Sequence, residues 1–221
     1  MEMEMKTFLS IGTGPGIGFE TAARFAQEGY RVVLSARNAD KLNALAKVLY
    51  QSNHQVEVRT VDASNPTSVI ALIDEIENTL GPIDILHYNA ANLRQATVEE
   101  QPADSFVSDL AVNIGGALAA TQAVKPRQES RGQGTILMTG GGFALYPSPD
   151  YLSLSIGKAG IRTITLGLFE PFKQKNVHIA TVTVATFVSA GSKEARDIAE
   201  QFWQLHSQPQ ASWTAEIMYP A

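Results

Sequence analysis

Four glycines at every second position, Gly12, Gly14, Gly16 and Gly18, follow a short apolar run formed by Phe8, Leu9 and Ile11. Glycine lets the chain turn back with positive φ, and its missing Cβ lets a phosphate approach the backbone. A helical pattern (Phe19, Ala22, Ala23, Phe25, Ala26) comes next and closes at Gly29. The first turn of that helix, from Ile17 and Gly18, offers unpaired N–H groups and the positive end of its dipole to an anion. Alone, the glycines would make an ordinary loop; between a strand and a helix they predict a seat for the pyrophosphate of a dinucleotide. Arg31–Ala36 reads as the next strand, and its end is where such a dinucleotide places its adenosine ribose. A carboxylate there binds the 2′-hydroxyl of NAD, but this chain has Ala36 followed by Arg37. With no acid to repel a 2′-phosphate and a guanidinium able to pair with one, NADP is favoured and NAD is left open. Arg37 also reads as a plain surface residue opening the helix Asp40–Leu49.

These marks need a scaffold, and the rest of the chain supplies its pattern. Gln55–Val61 reads as a third strand ending in Asp62-Ala63, and Ser64-Asn65-Pro66 as a helix start with proline in the first turn. That helix runs through Val69, Leu72, Ile73, Ile76 and Leu80 to Gly81-Pro82. A fourth strand ends in His87-Tyr88-Asn89-Ala90-Ala91, a long helix spans Pro102–Lys125, and Gly134–Thr139 is a fifth strand. A helix from Tyr151 to about Gln174, a strand Val177–Val184, an amphipathic helix (Ile198, Ala199, Phe202, Leu205) and a strand around Trp213–Tyr219 complete the chain. Such alternation predicts a doubly wound, three-layer α/β Rossmann fold with a mostly parallel sheet of about seven strands. No repeat or linker interrupts it, so residues 1–221 read as one dinucleotide-binding domain.

Composition narrows the function classes. With 17 basic and 22 acidic side chains the net charge is −5, so there is no electrostatic reason to expect nucleic acid. Zero cysteines exclude disulfides and thiolate chemistry, and four histidines with no pair at helical spacing argue against a metal site. Residues 1–6 alternate charge with apolar side chains without the long apolar run of a signal peptide, and no run reaches a membrane span. A cytoplasmic protein acting on a small molecule, away from membranes, is the expectation.

The spacing Gly12-x3-Gly16-x-Gly18, the stretch Asn65–Ala91 with Gly81-Pro-Ile-Asp-Ile-Leu86, and Ser155-Ile-Gly-Lys158-Ala-Gly-Ile-Arg162 together resemble the short-chain dehydrogenase/reductase family. The resemblance covers nearly the whole chain and is weak after Val184. It implies an NAD(P)-dependent oxidoreductase interconverting carbonyls and alcohols, and a homodimer or homotetramer joined through the Pro102–Lys125 and Tyr151–Gln174 helices. It also places Asp62 beside the adenine, with Ala63 next to it, although an acid at a strand end equally caps a turn. Asn89 and Ala90 would form the floor under the cofactor, and Lys158 would hold the ribose of the nicotinamide. Asn113, set before Gly115-Gly116 in an apolar helix, matches the family's kink asparagine; tight packing explains the glycines but not the asparagine.

Several residues depart from the family pattern. The family carries threonine before the first glycine where this chain has Ile11, removing a hydroxyl that braces the turn. The family's proton-donating tyrosine, four residues before the lysine, is Leu154 here, and its carbonyl-polarising serine is Gly141. Tyr151 is the available substitute. Seven residues before Lys158, it would share its helix face at a rise of about 10 Å, if Ser148-Pro149-Asp150 cap the helix early enough. Its phenol would then reach a substrate oxygen with Ser153, Ser155 or Thr139 nearby as helpers; Tyr151 equally reads as packing at a subunit or loop contact. Two classes of function stand: an oxidoreductase with a displaced proton donor, or a catalytically silent cofactor-binding member acting through binding.

Overall fold

The run Phe8–Ile11 is buried on both faces, which puts it at the centre of a sheet covered on both sides. The computed structural model describes residues 5–220, so the first four residues of the stretch read against a leader lie outside the described residues. Seven strands, β1 (Thr7–Ile11), β2 (Arg31–Ala36), β3 (Val56–Thr60), β4 (Ile83–Tyr88), β5 (Gly134–Thr139), β6 (Val177–Val184) and β7 (Glu216–Tyr219), form one sheet. Their order is β3-β2-β1-β4-β5-β6-β7, and every pairing between them is parallel. The order reverses between β1 and β4, the switch point where an open α/β sheet leaves a crevice at its carboxyl edge.

Parallel strands must be joined by crossovers, and the helices provide them. α1 (Ile17–Gln27), α2 (Ala39–Gln51) and α7 (Lys193–Ser207) cover one face, packing Phe25, Leu42 and Phe202 against Phe8, Val32 and Leu34. α3 (Pro66–Thr79), α5 (Gly116–Arg131) and α6 (Leu152–Lys173) cover the other, packing Ile73, Val124 and Ile161 around Leu9, Ile11 and Val33. The alternation of Phe8 with Leu9 is thus a division between two cores. Local chemistry starts the helices where side chains accept the free N–H groups. Asn65 accepts from Thr67 and Ser68 with Pro66 behind it, Asn38 accepts from Lys41, and Ser192 accepts from Ala195.

Three boundaries differ from the sequence reading. The helix expected over Pro102–Lys125 is α4 (Ser105–Leu110), a π-helical turn (Ala111–Gly115) and α5, which continues through Pro126 to Arg131. Its stop is Gly132, at φ +65° in the left-handed region. The last strand begins at Glu216 rather than Trp213, because a short turn (Gln210–Ser212) intervenes and the Trp213 indole donates to the Gln208 carbonyl at 3.0 Å. α6 begins at Leu152, one residue after the expected start, with consequences for the site. No helix among the described residues is long and apolar enough to cross a membrane.

Three imidazoles with lowered pKa couple this core to pH, and His206 and His87 are shifted furthest. His206 on α7 lies 2.9 Å from the Tyr30 hydroxyl and 2.9 Å from the Thr135 hydroxyl, among the rings of Phe25 and Trp203. Burial lowers its pKa from 6.5 to about 4 and that of His87, on β4, to about 3. Between those values and 6.5 the unfolded chain binds more protons, so stability present above pH 6.5 is lost as pH falls. Urea unfolding at pH 7 and pH 5 is expected to show that loss, with a slope approaching about 1.4 kcal/mol per pH unit for each imidazole. His206→Gln is expected to remove one imidazole's share of the slope, and a midpoint indifferent to pH would refute the assignment.

Candidate active site

The glycine turn is fixed by contacts that a side chain would break. Gly12 has φ +87°, and a Cβ there would lie 2.3 Å from the Ala90 nitrogen. A Cβ on Gly18 would lie 2.9 Å from Asn89 Nδ2, which itself donates to the Gly12 carbonyl at 2.8 Å. Turn and β4 end are therefore pressed together, and both glycines serve that approach. Gly14 has nothing within 4 Å of where its Cβ would be, and Gly16 caps α1 without any side chain accepting from the helix. The bracing hydroxyl missing at Ile11 comes from Thr13. Its Oγ1 accepts from the Ser35 N–H at 3.2 Å and donates to Ser10 Oγ at 2.9 Å, while the Ser35 hydroxyl donates to the Ser10 carbonyl at 2.7 Å.

Above the turn lies a cavity of about 360 Å³. Gly12, Gly14 and Ile17 line its middle, Arg37, Asp62 and Ala63 one end, and Asn89, Ala90 and Lys158 the other. Of the residues the sequence nominated for a cofactor, Gly16 and Gly18 stand outside this lining. An open glycine, an uncapped helix start and a cation at the far end fit an elongated, phosphate-bearing group. Arg37 is exposed and makes no ion pair among the described residues. Asp62 takes the turn-capping role, accepting from the Ser64 N–H at 2.9 Å and the Ser64 hydroxyl at 2.7 Å. Those bonds hold its carboxyl below the usual range, and it still borders the cavity.

Asn113 lies in the π-helical turn, a local widening that often marks a working site. Its Oδ1 accepts from the Asn92 N–H at 2.6 Å, and its Nδ2 donates to the Asn92 carbonyl at 3.4 Å. Gly157 of α6 is pressed onto it: a Cβ there would sit 2.5 Å from the Asn113 Cβ. Tyr88, at the end of β4, is buried and donates to the Val112 carbonyl in the same turn at 2.6 Å. Gly116 matches it, since a Cβ would meet the Tyr88 hydroxyl at 2.3 Å. Asp109 then ties the loop after β4 to both helices, accepting from Arg94 at 2.7 Å and Ser153 at 3.0 Å. Burial opposes its charge, but bonds from Arg94, Ser153 and Asn92 outweigh that and keep the carboxyl below its usual range.

Lys158 is brought under the carboxyl end of β5, where its Nζ donates to the Thr139 carbonyl at 2.8 Å. Burial lowers its pKa from 10.5 to about 8. Its stem crosses the vacancy at Gly141, whose Cβ would meet Lys158 Cγ at 3.0 Å and Cδ at 3.2 Å. The Thr139 hydroxyl donates to Asn89 Oδ1 at 2.9 Å and lies 3.0 Å from His87 Nε2, so that nitrogen carries the proton. Sequence reading named Thr139 only as a helper and missed His87 altogether. Its one signal was a polar residue inside an apolar strand.

A second cavity of about 410 Å³ adjoins the first at Lys158 and Thr139. Its wall is apolar and aromatic, with Phe143, Tyr146, Leu154 and Phe187. Tyr151 does not lie on the Lys158 face of α6. It occupies the position before the helix, with φ −137° and ψ 43°, and forms an isolated bridge with Ala96. Its ring stacks on Phe143 at 5.4 Å and meets Phe187 at 6.0 Å, behind the cavity wall. The expected Ser148-Pro149-Asp150 cap fails because the Ser148 N–H donates to Ser155 Oγ, which folds these residues back over the first turn. Ser155 in turn donates to the Tyr151 carbonyl at 2.9 Å.

Comparison with known proteins gives this geometry a context. A family model described as short chain dehydrogenase matches residues 6–199. An uncharacterized oxidoreductase of Staphylococcus aureus strain USA300 is 30% identical over 216 residues, covering 92% of each chain. A glucose 1-dehydrogenase of Gluconobacter oxydans is 29% identical over 204 residues, covering 91% of this chain and 77% of that one. Among solved structures, a metagenomic short-chain oxidoreductase in complex with NADP superposes with a TM-score of 0.89 at 21% identity, covering 99% of this chain and all of the other.

The Tyr88 hydroxyl offers a clean perturbation of the π-helical turn. Tyr88→Phe keeps the ring and removes the donor to Val112, with an expected loss of about 1 kcal/mol in denaturant unfolding. Tyr88→Phe with native stability would show that the bond contributes nothing.

Proposed function

The chain belongs to the short-chain dehydrogenase family, and from that premise we propose that it is an NAD(P)-dependent oxidoreductase acting on a carbonyl or alcohol. The observation that carries the reading is the continuous cavity from Arg37 over the glycine turn to Lys158, which opens there onto an apolar pocket. Residues 1–221 act as one dinucleotide-binding domain in this reading. Gly12, Gly14 and Ile17 seat the pyrophosphate, Gly16 and Gly18 shape the turn from outside the lining, and Asp62 and Ala63 border the adenine. Asn89 and Ala90 form the floor, and Lys158 closes the end where the two cavities meet. A reduced dinucleotide bound there supplies the hydride.

The chain's own residues do the rest. Asn89, held by Gly12 and Thr139, fixes the turn against β4. Asn113 fixes the Asn92 backbone beside the cavity, so its part is positioning. Phe143, Leu154 and Phe187 exclude water and favour a substrate with an apolar group next to its carbonyl. Tyr151, as a displaced proton donor, would have to leave its stack on Phe143 to reach a substrate.

Arg37 carries the cofactor preference. It borders the cavity with no carboxylate bonded to it, and Ala36 beside it offers no acid to a ribose hydroxyl. NADPH is expected to bind at least about tenfold tighter than NADH, as a charge-assisted contact to the 2′-phosphate implies. Arg37→Ala is expected to remove most of that difference. Fluorescence titration at matched ionic strength reads both, and equal affinities in the native protein would sink the preference.

Self-association is part of the same reading. Val107 of α4 is 73% exposed and Leu118 of α5 41%, and Ile156 and Leu166 of α6 are also exposed. These helices present apolar residues to solvent on the face turned from the sheet, as a helix contact between copies requires. Sedimentation at micromolar concentration is expected to give a dimer or tetramer, and Val107→Glu with Leu166→Glu to shift it toward monomer. A monomeric native protein would contradict this.

A further inference from the structure

Five residues line both cavities: Ile17, Leu93, Thr139, Lys158 and Val188. A carbonyl that reaches a dinucleotide in the first cavity from the second must react where these residues meet. Three of them are apolar. The Thr139 hydroxyl gives its proton to Asn89 Oδ1. Lys158 is therefore the one group at the junction with a proton to transfer.

Thr186 and Ser189 stand on the wall of the second cavity, but as aliphatic alcohols they are far too weakly acidic to give up a proton near neutral pH, and the remaining hydroxyls of the neighbourhood are engaged or distant. Ser153 donates to Asp109, Ser155 donates to the Tyr151 carbonyl, and Tyr151 lines neither cavity. Tyr146 lines only the apolar cavity and is 79% exposed at its mouth. Leu154 and Gly141 bring no hydroxyl, and the stem of Lys158 lies across Gly141. Building on the oxidoreductase reading above, we propose that the Lys158 ammonium is itself the acid that protonates the substrate oxygen.

In that step the carbonyl carbon accepts a hydride from the reduced dinucleotide, and the carbonyl π pair moves onto oxygen. The oxygen takes a proton from Lys158 Nζ, the N–H bond breaks with its pair left on nitrogen, and water restores the proton afterwards. The substrate is reduced to the alcohol and the dinucleotide is oxidised, with the lysine returned to its starting form. The burial that brings Lys158 to about 8 leaves it protonated at neutral pH yet able to give the proton up. The titratable groups facing it are His87 from β4, which burial keeps neutral, and Tyr146 across the apolar cavity. No carboxylate among the described residues pairs with it.

Lys158→Arg separates an acid from a fixed charge, because arginine keeps the charge and does not release its proton in this range. The full chain is assayed with NADPH and a panel of aromatic aldehydes. The native kcat is expected to fall above an apparent pKa near 8. Lys158→Arg is expected to lose at least about a hundredfold in kcat, the usual contribution of a general acid, and more than Tyr151→Phe loses. Independently of turnover, 15N NMR of lysine side chains in the protein without dinucleotide reads the Nζ signal absent from Lys158→Arg. That signal is expected to titrate between pH 7 and pH 9. The inference is overturned if Lys158→Arg stays within a few-fold of native, if Tyr151→Phe or Tyr146→Phe takes the larger loss, or if the Nζ signal titrates only above pH 10. Failure of the native protein to bind NADPH in fluorescence titration is a different result: it removes the oxidoreductase reading, and this inference with it.

Discussion

A half-buried lysine whose ammonium has, among the described residues, a single backbone partner is the constraint around which the site is arranged. Taking a cation out of water costs several kcal/mol unless opposite charge or several hydrogen bonds compensate. Lys158 has the Thr139 carbonyl, at 2.8 Å, and, among the described residues, no carboxylate. The fold keeps it there because α6 and β5 are packed on either side of it, and because Gly141 leaves room for its stem. Thr139 cannot shift to relieve it: its hydroxyl is held by Asn89 and His87, and Asn89 is held by the Gly12 carbonyl. A chain of three hydrogen bonds thus runs from the glycine turn through Asn89 and Thr139 to the lysine, with His87 as a side branch, so the phosphate end and the reactive end of the cavity are set by one network.

The sheet order explains why such a network exists. Reversal between β1 and β4 sends the chain away on opposite sides and leaves the carboxyl ends of these strands facing an open crevice. That crevice closes at its floor only if the turn after β1 and the end of β4 touch. They touch through Gly12 against Ala90 and Gly18 against Asn89, contacts that admit no Cβ on either glycine. The same economy of side chains recurs on the other face of the site, where Gly116 makes room for Tyr88 and Gly157 for Asn113. Close approach of backbones, rather than a dense set of ion pairs, builds this site.

Features carried by one segment were legible in the sequence, and features made between segments were not. The strand, glycine turn and helix and the parallel order of elements follow from local pattern, and Lys158 was reached through the family resemblance of Ser155–Arg162. Asn113 was legible as a local conflict, and the π-helical turn is its cause; what it binds was not, because Asn92 lies on another loop. Thr13 replaced the hydroxyl absent at Ile11 through contacts with Ser10 and Ser35, and the latter sits on a different strand. Tyr151 failed as a helical residue for a similar reason. Ser148-Pro149-Asp150 carries a fair capping signal, but Ser155 takes the Ser148 N–H and the bridge to Ala96 holds Tyr151 outside the helix. Tertiary contacts overrode a local signal worth about 1 kcal/mol.

The two departures at Gly141 and Leu154 act in one direction and are best understood together. Each replaces a hydroxyl-bearing residue of the family pattern with one that has none, and each borders the apolar cavity. Hydroxyls there would solvate the ammonium and raise its affinity for a proton, leaving the lysine as fixed charge. Their absence, with Phe143 and Phe187 closing the wall, makes the surroundings poor in polar groups and weakens the hold of Lys158 on its proton. The loss of the tyrosine thus removes one acid and creates the conditions for another, since the same desolvation that makes the site unfavourable for a resting charge favours its discharge onto a developing alkoxide. A site without the hydroxyls that the family resemblance led one to expect therefore keeps a physical route to carbonyl reduction, and that route passes through the lysine at the junction of its two cavities.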